Sequence, residues 1–536
     1  MRTAPVLLSS LILAALPAGA QTGPDSAANI KAHMAVLAAD DLKGREAGSP
    51  GYEAGADYVA RQMKALGLQP MGRSYFQTVP LVAARALNEG KFSLKDSSGK
   101  ETPLVFGTDY ITGGDEVFPK LRISAPMVFV GYGLVTPTRD DYKGLDVKGK
   151  IVVALSGAPK FLQTEERAYY RGGRAKLQAA KDRGAVGYLS VGTLTGEKLY
   201  PFANRVRQYK SWGMSWRQKD GTAFSQVRLP ILAGISVAGA QKLFGARTKE
   251  IMAQAETQQG AVKGFDLNMS LSAAADSETK TLESRNVIGL LPGSDPKLKN
   301  EYIVLSAHLD HLGITPPVKG DKSGDTINNG ALDNAAGVAT MLEAARLLKA
   351  RPPRRSIIFL ANTAEEKGLI GSEYFARNAP LPMCRAAPCS VIVGNVNLDM
   401  PILTYDFNDV VAFGADRSTI GPAVSRAAAR MKVKLSPDPM PDEGVFTRSD
   451  HYRFVEQGIP AVFLMTGFAN GGEKAFGHFM KTNYHKPSDD LSQPINYAAG
   501  AKFARLNAEI ARELGDAQAA PAWNKGDFFA ARFKRR

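Results

Sequence analysis

The chain has 536 residues and a mass of 57.4 kDa, which corresponds to about two to four domains of ordinary size. Hydrophobic residues make up 44% and charged residues 22%, a globular balance that excludes collagen-like, coiled-coil and wholly disordered chains. The net charge is +15, but the basic residues are scattered, so we expect no nucleic-acid partner. No apolar run reaches the roughly 18 residues of a membrane-spanning helix, so we also expect no integral membrane segment.

The first twenty residues have the pattern of a secretory signal peptide. A positive charge at Arg2 precedes the apolar stretch Val6–Leu16, and small residues up to Ala20 fit a cleavage site. The next residue is Gln21 rather than a cysteine, so a bacterial lipid anchor is not indicated. We therefore predict that residues 1–20 are removed and that the protein is exported, either periplasmic or secreted.

Export bears on the two cysteines. Cys384 and Cys389 are the only cysteines of the chain, so the protein is neither a disulfide scaffold nor a cysteine-rich zinc protein. In an oxidising compartment two thiols at this spacing can form a disulfide. We expect this bond, although the spacing alone is not diagnostic.

After the predicted signal peptide, successive parts of the chain differ in the pattern of their apolar residues. Apolar spacing at residues 28–71 predicts helices on either side of a glycine-rich turn at 44–51. Residues 121–272 have the pattern of short strands joined by glycine-rich turns. Strands and helices alternate from 285 to 514 as in a parallel α/β sheet. Residues 515–536 are rich in alanine and basic residues, and we expect a loosely held, flexible basic tail.

Candidate chemistry is concentrated at the carboxyl ends of the strands predicted between 285 and 514. The strand at 302–307 ends before a histidine, the strand at 356–361 ends before a pair of glutamates, and the strand at 390–398 ends before an aspartate. Another acid precedes the helix predicted at 335–349, and a further histidine lies in a loop near the C-terminus. Ligands of open parallel sheets bind at this edge. The five residues are His308, Asp333, Glu366, Asp399 and His485.

Two imidazoles and three carboxylates form a balanced ligand set for two metal ions. If one carboxylate is shared, each ion receives one histidine and one further acid, and nitrogen and oxygen ligands without sulfur are typical of catalytic zinc sites. Single residues of the set also have ordinary explanations. Asp333 precedes a helix and could serve as its N-cap, and the pair Glu365-Glu366 could be solvated surface. The common position at one sheet edge favours the metal site.

Four sequence motifs resemble the di-zinc aminopeptidase family, whose members have co-catalytic metals. The motifs are His308–Gly313, Asn329–Gly337, Thr363–Ser372 and Tyr484-His485. The resemblance is to the exported bacterial type, which is related to glutamate carboxypeptidase. It implies an α/β fold with a three-layer, phosphorylase/hydrolase-like mixed sheet that has helices on both faces.

The middle of the chain, notably Tyr142–Val152, resembles a protease-associated domain inserted into the peptidase domain. The resemblance therefore implies a division of the mature chain. Residues 28–120 would be the N-terminal part of the peptidase domain, 121–272 a mainly-β protease-associated insert, and 273–514 the metal-binding peptidase domain.

The resemblance also implies a role for each ligand. Asp333 would bridge two zinc ions. His308 and Asp399 would hold one ion, and Glu366 and His485 would hold the other. The chain would thus carry two Zn²⁺ ions as cofactors.

Catalytic roles follow from the same resemblance. Two zinc ions lower the pKa of a bridging water, so that a hydroxide exists near neutral pH. Glu365 would accept the proton as general base and pass it to the leaving amine. Asp310 would accept the second N–H of the first histidine ligand, and Tyr484 would donate a hydrogen bond to the oxyanion. His311 and His451 are expected beside the ligands or in the cleft.

The sequence therefore predicts a zinc-dependent aminopeptidase that hydrolyses the N-terminal peptide bond of peptides or proteins. Three alternatives stay open. They are a carboxypeptidase of the related glutamate-carboxypeptidase branch, a glutaminyl cyclase-like enzyme with one metal, and a catalytically dead binding protein on the same fold. The intact first histidine, His308, argues against the one-metal enzyme, and the five retained ligands together with Glu365 argue against the dead protein.

Overall fold

The structure is a computed structural model that describes residues 25–317, 324–382 and 391–534. The predicted signal peptide and the predicted disulfide between Cys384 and Cys389 lie outside the described residues. Within the described residues, no helix is long and apolar enough to cross a membrane. The helices are Ser26–Leu37, Pro50–Ala65, Thr164–Arg171, Arg174–Asp182, Leu194–Leu199, Phe202–Arg207, Ala240–Phe244, Thr248–Ala255, Ala336–Lys349, Ile370–Asn378, Ile420–Arg430, His451–Val455, Gly472–Thr482, Tyr497–Asp516 and Phe528–Arg532.

The larger sheet is mixed, and its central strands run parallel. Antiparallel strands flank this parallel centre on both sides, which confirms the prediction of an α/β fold with a mixed sheet. Gln69–Pro70 pairs with the end of the long strand Phe265–Leu291. The remaining strands, in sheet order, are Lys434–Ser436, Asp409–Phe413, Ala461–Thr466, Val391–Leu398, Glu301–His308, Ser356–Asn362, the second half of Phe265–Leu291, Phe76–Ala86 and Gly213–Trp216.

The parallel strands of the larger sheet are buried on both faces. Along Glu301–His308, Ile303 packs into the apolar cluster that includes helix Ala336–Lys349, while its neighbour Val304 packs into the cluster that includes helix Ile370–Asn378. Side chains alternate between the faces of a strand, so a strand covered on both sides needs apolar residues at nearly every position. Helices therefore lie on both faces, and the polar residues that follow each strand are left at the sheet edge.

A second sheet shares the long strand Phe265–Leu291 with the first. Residues 265–276 of that strand pair in the second sheet, and residues 277–291 pair in the first. The second sheet begins at Lys91, earlier than residue 121, because strands from 91 to 111 pair with strands of the middle stretch. Its strands, in order, are Glu101–Pro103, Lys91–Asp96, the first half of Phe265–Leu291, Lys120–Phe129, Ile151–Leu155, Gly187–Val191, Ile231–Ile235 and Tyr110–Ile111.

The other strands of the described residues form two short antiparallel pairs. Val135–Thr136 pairs with Arg139–Asp140, and Gly313–Ile314 pairs with Ile327–Asn328. The second pair begins shortly after the predicted ligand His308. It therefore lies at the edge of the sheet where the metal site is predicted.

The expectation of a loosely held tail is wrong for the described part of residues 515–534. Phe529 is fully buried, and its ring lies 5.2 Å from that of Phe446. Trp523 donates its indole N–H to the carbonyl of Gly458 at 3.0 Å, and Asp527 forms an ion pair with Arg417 at 2.9 Å. Aromatic residues among the basic ones give this segment apolar surface to bury, so it packs against the folded body.

Candidate metal centre

The structure brings the five predicted ligands together at the carboxyl end of the parallel strands. His308 is the last residue of its strand, Asp399 directly follows another, and Glu366 lies four residues beyond a third. Asp333 lies in the bend that leads into helix Ala336–Lys349, and His485 lies in the loop after helix Gly472–Thr482. Strand order thus assembles residues that are distant in sequence, as predicted.

One half of the site consists of His308, Asp333 and Asp399. The Nε2 atom of His308 lies 3.2 Å from Oδ1 of Asp333 and 3.1 Å from Oδ1 of Asp399. All three residues are buried. These side chains form a group whose ligand atoms could hold one metal ion.

The other half of the site uses the second oxygen of Asp333. The Nε2 atom of His485 lies 3.3 Å from Oδ2 of Asp333 and 3.4 Å from Oε2 of Glu366. His308 therefore faces one oxygen of Asp333 and His485 faces the other. A carboxylate that bridges two metal ions requires this division of its two oxygens.

The spacing of these atoms fits zinc. Zinc binds nitrogen and oxygen at about 2.1 Å, and tetrahedral geometry then separates two ligand atoms by about 3.4 Å. The four contacts of His308 and His485 span 3.1 to 3.4 Å, close to that separation. Nitrogen and oxygen donors without sulfur are also what catalytic zinc sites use. The residues present therefore fit zinc in both halves.

The ionisable groups of the cluster shift one another's pKa values because they lie close together. Burial alone would lower the pKa of His308, but the carboxylates of Asp399 and Glu365 raise it well above its usual value. Burial would raise the pKa of Asp333, but the neighbouring imidazoles of His311 and His308 lower it well below its usual range. Burial raises the pKa of Glu365 well above its usual value, and the carboxylate of Asp399 adds to the increase. A bound cation would stabilise the ionised carboxylates.

The expected role of Asp310 requires a correction. The Nδ1–H of His308 donates to the backbone carbonyl of Asp310 at 3.0 Å, while the nearer carboxylate oxygen of Asp310 is 4.0 Å away. That carboxylate instead accepts the backbone N–H groups of Glu365 at 3.0 Å and Glu366 at 3.3 Å. Burial raises the pKa of Asp310 to about 7. Asp310 thus fixes the first histidine through its main chain and the glutamate pair through its side chain.

Sequence reasoning did not identify the role of Arg45. Its buried guanidinium donates to the carbonyls of Leu309 at 2.8 Å, Asn329 at 2.6 Å and Gly330 at 3.1 Å. Burial lowers the pKa of Arg45 to about 10, so it stays charged at neutral pH. It ties the segment after His308 to the segment before Asp333. The signal in the sequence was a single arginine inside a glycine-rich turn.

Two further supporting residues were also not assigned a role from the sequence. Asp489 accepts the backbone N–H groups of Leu332 at 3.0 Å and Asp333 at 2.9 Å. Ser449 donates to Oδ2 of Asp399 at 2.6 Å, which leaves Oδ1 of Asp399 facing the first histidine. Hydrogen-bond partners of this kind orient metal ligands and tune their affinity.

A cavity of about 400 Å³ opens beside the cluster. Its polar lining includes the five ligands together with Glu365 and Tyr484. The Tyr484 ring stacks on that of His485 at 3.8 Å, and burial raises the pKa of the Tyr484 hydroxyl, so the hydroxyl stays protonated. Glu443, Arg448 and Ser449 also line the cavity. Its apolar wall is formed by Met400, Met440, Val445, Phe463, Met465, Phe476 and Met480.

His451 belongs to the core rather than to the cleft. It is fully buried, and its ring lies 5.2 Å from that of Phe446 and 5.6 Å from that of Phe463. Burial lowers its pKa to about 3, so it is neutral at physiological pH. His311, in contrast, lies in the cluster beside Glu366.

Comparison with known proteins agrees with this site. Residues 286–511 match the model of Peptidase family M28. The matched residues include all five predicted ligands.

Several curated relatives are named as aminopeptidases. A probable lipoprotein aminopeptidase of Mycobacterium tuberculosis is 25% identical over 506 residues, which cover 89% of this chain and 83% of that protein. A probable leucine aminopeptidase 2 of Aspergillus oryzae is 26% identical over 254 residues, which cover 43% of this chain and 45% of that protein. The chain thus spans less than half the length of the second relative. Among solved structures, an aminopeptidase from Aneurinibacillus sp. strain AM-1 is 20% identical with a TM-score of 0.49, covering 90% of this chain and 92% of that one.

Proposed function

We propose that this protein is a zinc-dependent aminopeptidase that removes the N-terminal residue of peptides or proteins. The observation that carries the proposal is the arrangement of two ligand pairs on opposite oxygens of Asp333, with the unassigned carboxyl of Glu365 lining the same cavity. The names of the curated relatives support the same reaction class.

Two Zn²⁺ ions would be held, with Asp333 shared between them. His308 and Asp399 would complete one site, and Glu366 and His485 the other. Zinc supplies Lewis-acid activation of water and of the scissile carbonyl. The carboxylates also favour a substrate with a free, positively charged α-amino group, because such a group meets acidic side chains in the cavity.

Glu365 would act as the general base. It lines the cavity beside the ligands, and burial raises its pKa above that of an ordinary glutamate, a direction that favours a group that takes up and returns a proton. It would accept a proton from the attacking water and deliver it to the leaving amine. Asp310 holds the backbone of Glu365 in place and is a positioning residue in this account.

Tyr484 and the apolar wall would act on the substrate. The protonated hydroxyl of Tyr484 would donate a hydrogen bond to the carbonyl oxygen as negative charge develops there. The methionine and phenylalanine side chains of the wall would contact the side chain of the N-terminal residue. An apolar wall favours apolar side chains, since their transfer from water releases free energy in proportion to the buried area.

We extend the proposal to the remaining chain. The second sheet would be the core of a protease-associated insert, predicted at 121–272 between an N-terminal peptidase part at 28–120 and the metal-binding part at 273–514. Its strands begin at Lys91, so the insert would include the end of the predicted N-terminal part. The whole domain would have the three-layer, phosphorylase/hydrolase-like architecture. Removal of residues 1–20 would deliver the enzyme to the periplasm or the medium, and mass spectrometry of the mature protein would then find Gln21 at the N-terminus.

One tripeptide in three forms tests the function. The zinc-loaded protein is offered an apolar tripeptide that is free, N-acetylated or C-amidated, and the products are separated by chromatography. We expect cleavage of the free and amidated forms and none of the acetylated form. Loss of cleavage on amidation, with the acetylated form still cut, would instead identify a carboxypeptidase. Cleavage of none of the forms by a protein with two bound zinc ions would contradict the proposal.

A further inference from the structure

His311 is a third imidazole in the metal cluster, and the proposed function gives it no role. It follows the first histidine ligand by three positions and is fully buried. Its Nδ1 atom lies 2.7 Å from Oε1 of Glu366 and 3.9 Å from Oδ2 of Asp333. Oε2 of Glu366 faces His485 instead. The two oxygens of Glu366 thus have different partners.

With Asp333 and Glu366, His311 forms a group whose ligand atoms could hold a metal ion, so its role depends on the contact distances. Two atoms that bind one tetrahedral zinc are separated by about 3.4 Å, and the contacts of His308 and His485 span 3.1 to 3.4 Å. The contact of His311 with Glu366 is shorter, at 2.7 Å, which is the length of a charge-assisted hydrogen bond. Because an ionised carboxylate can only accept, the Nδ1 atom of His311 carries the hydrogen.

The ring of His311 is fixed by the backbone around it. A Cβ atom placed on Gly330 would lie 2.7 Å from Cγ and Cδ2 of His311, so the ring packs directly on this glycine. Gly330 also has a φ of 59°, in the left-handed region that favours glycine. The backbone N–H of His311 donates to the carbonyl of Arg45 at 3.2 Å. The ring therefore has little freedom to turn away from Glu366.

We propose that His311 is a positioning residue that orients Glu366 for the zinc site shared with His485. Its Nδ1–H holds Oε1 of Glu366, which leaves Oε2 facing His485. The inference rests on the proposed function only for the presence of zinc. Loss of such an outer hydrogen bond typically costs about 10–100-fold in metal affinity.

Zinc binding measures this role without an activity assay. Metal-free protein is titrated with Zn²⁺ in competition with a chromophoric chelator, for the wild type and for His311→Phe. We expect the wild type to bind two ions and His311→Phe to bind one of them about 10–100-fold more weakly, with the other unchanged. His311→Asn restores an N–H near the Nδ1 position and should keep most of the affinity. An amide is a poor zinc ligand, so this variant would not rescue a lost ligand.

His33 offers a matched control. It is another buried histidine whose Nδ1 has one hydrogen-bond contact, with the Tyr58 hydroxyl at 2.8 Å, but it lies outside the cluster. We expect His33→Phe to keep the affinity for both ions. Should His311→Phe fail to fold, His311→Ala removes the same donor with less bulk. In a Glu366→Ala background, removal of the His311 donor should have no further effect on zinc affinity.

The outcomes are distinct. Loss in His311→Phe or His311→Ala with retention in His311→Asn supports the positioning role. Equal loss in all three variants, or wild-type affinity in all three, overturns it. A persistent effect of the His311 change in the Glu366→Ala background also overturns it. A wild-type protein that binds no zinc contradicts this inference and the proposed function together, whereas a two-zinc wild type without peptidase activity contradicts the function alone.

Discussion

The two halves of the candidate metal centre differ in their exposure to solvent. The side chain of His308 is 1% exposed and that of His485 is 36% exposed. His308 ends a buried strand, whereas His485 lies in a loop with a φ of 56°, a left-handed conformation that is unusual for a residue with a side chain. A rigid strand end fixes one ligand pair, while a strained loop carries the exposed ligand. If the centre binds zinc as proposed, we expect substrate and exchanging metal to reach it from the side of His485.

The largest expected effect comes from replacing Glu365, which belongs to neither half of the candidate metal centre. Glu365→Gln keeps the size of the side chain but removes the group that accepts a proton. We expect kcat to fall about 10²–10⁴-fold, with two zinc ions still bound, as measured by initial rates and elemental analysis. Glu473→Gln, an exposed glutamate at the start of helix Gly472–Thr482, should leave both unchanged. A simultaneous loss of zinc and activity in Glu365→Gln would mean that this residue is a ligand.

The second prediction concerns the order of zinc loss. Water and chelator reach His485 more easily than His308, so the ion on the side of His485 should leave first. Stopped-flow mixing with a chromophoric chelator should give two phases, with rates about tenfold or more apart, the size of difference that outer contacts of a ligand commonly produce. His485→Asn should remove the fast phase alone. A single phase that releases both ions would contradict the comparison of the two halves.

Because Ser449 donates a hydrogen bond to Asp399, its replacement should cause a smaller change, a loss of zinc affinity in the buried half. Ser449→Ala removes the donor to Oδ2 of Asp399 and leaves the Asn397 amide, which donates to Ser449 at 2.8 Å, without its acceptor. We expect about tenfold weaker zinc binding, seen as acceleration of the slow chelator phase only. Ser449→Thr keeps the hydroxyl and should behave as the wild type. Acceleration of the fast phase in Ser449→Ala would show that the two halves are not separate.

The smallest expected effect is a pH dependence of the free energy of unfolding caused by His33, which lies outside the metal centre. Burial lowers the pKa of His33 to about 4, so the folded protein keeps it neutral while the unfolded chain binds a proton below about pH 6.5. The free energy of unfolding should therefore fall as the pH drops from 6.5 towards 4, by about 1 kcal/mol between pH 6.5 and 5.5. Urea unfolding of the metal-free protein at several pH values measures this free energy. His33→Phe should lose this part of the pH dependence, and an unchanged slope would contradict the assignment.

The meeting of the predicted ligands at one sheet edge could be predicted in part from strand order. Once the strand of His308 and the strand before Asp399 lie parallel and adjacent, their ends meet at one edge, and buried parallel strands are recognisable as nearly continuous apolar runs. His485 lies in a loop, and only the family resemblance placed it with the others.

Other features depended on atomic distances that no sequence pattern encodes. The carbonyl and the carboxylate of Asp310 lie in one residue, and only the structure separates their contacts, at 3.0 and 4.0 Å from His308. The role of Arg45 depends on carbonyls that are distant in sequence. The participation of the single strand Phe265–Leu291 in both sheets is likewise known only from its pairing partners.

Anomalous X-ray scattering from crystals of the zinc-loaded protein, measured at the zinc absorption edge, tests the central claim most directly. The account predicts two peaks that share Asp333, one in contact with His308 and Asp399 and the other with Glu366 and His485. His311 should contact Glu366 and neither peak. A single peak, or a peak bound by His311 in place of His485, would contradict the account.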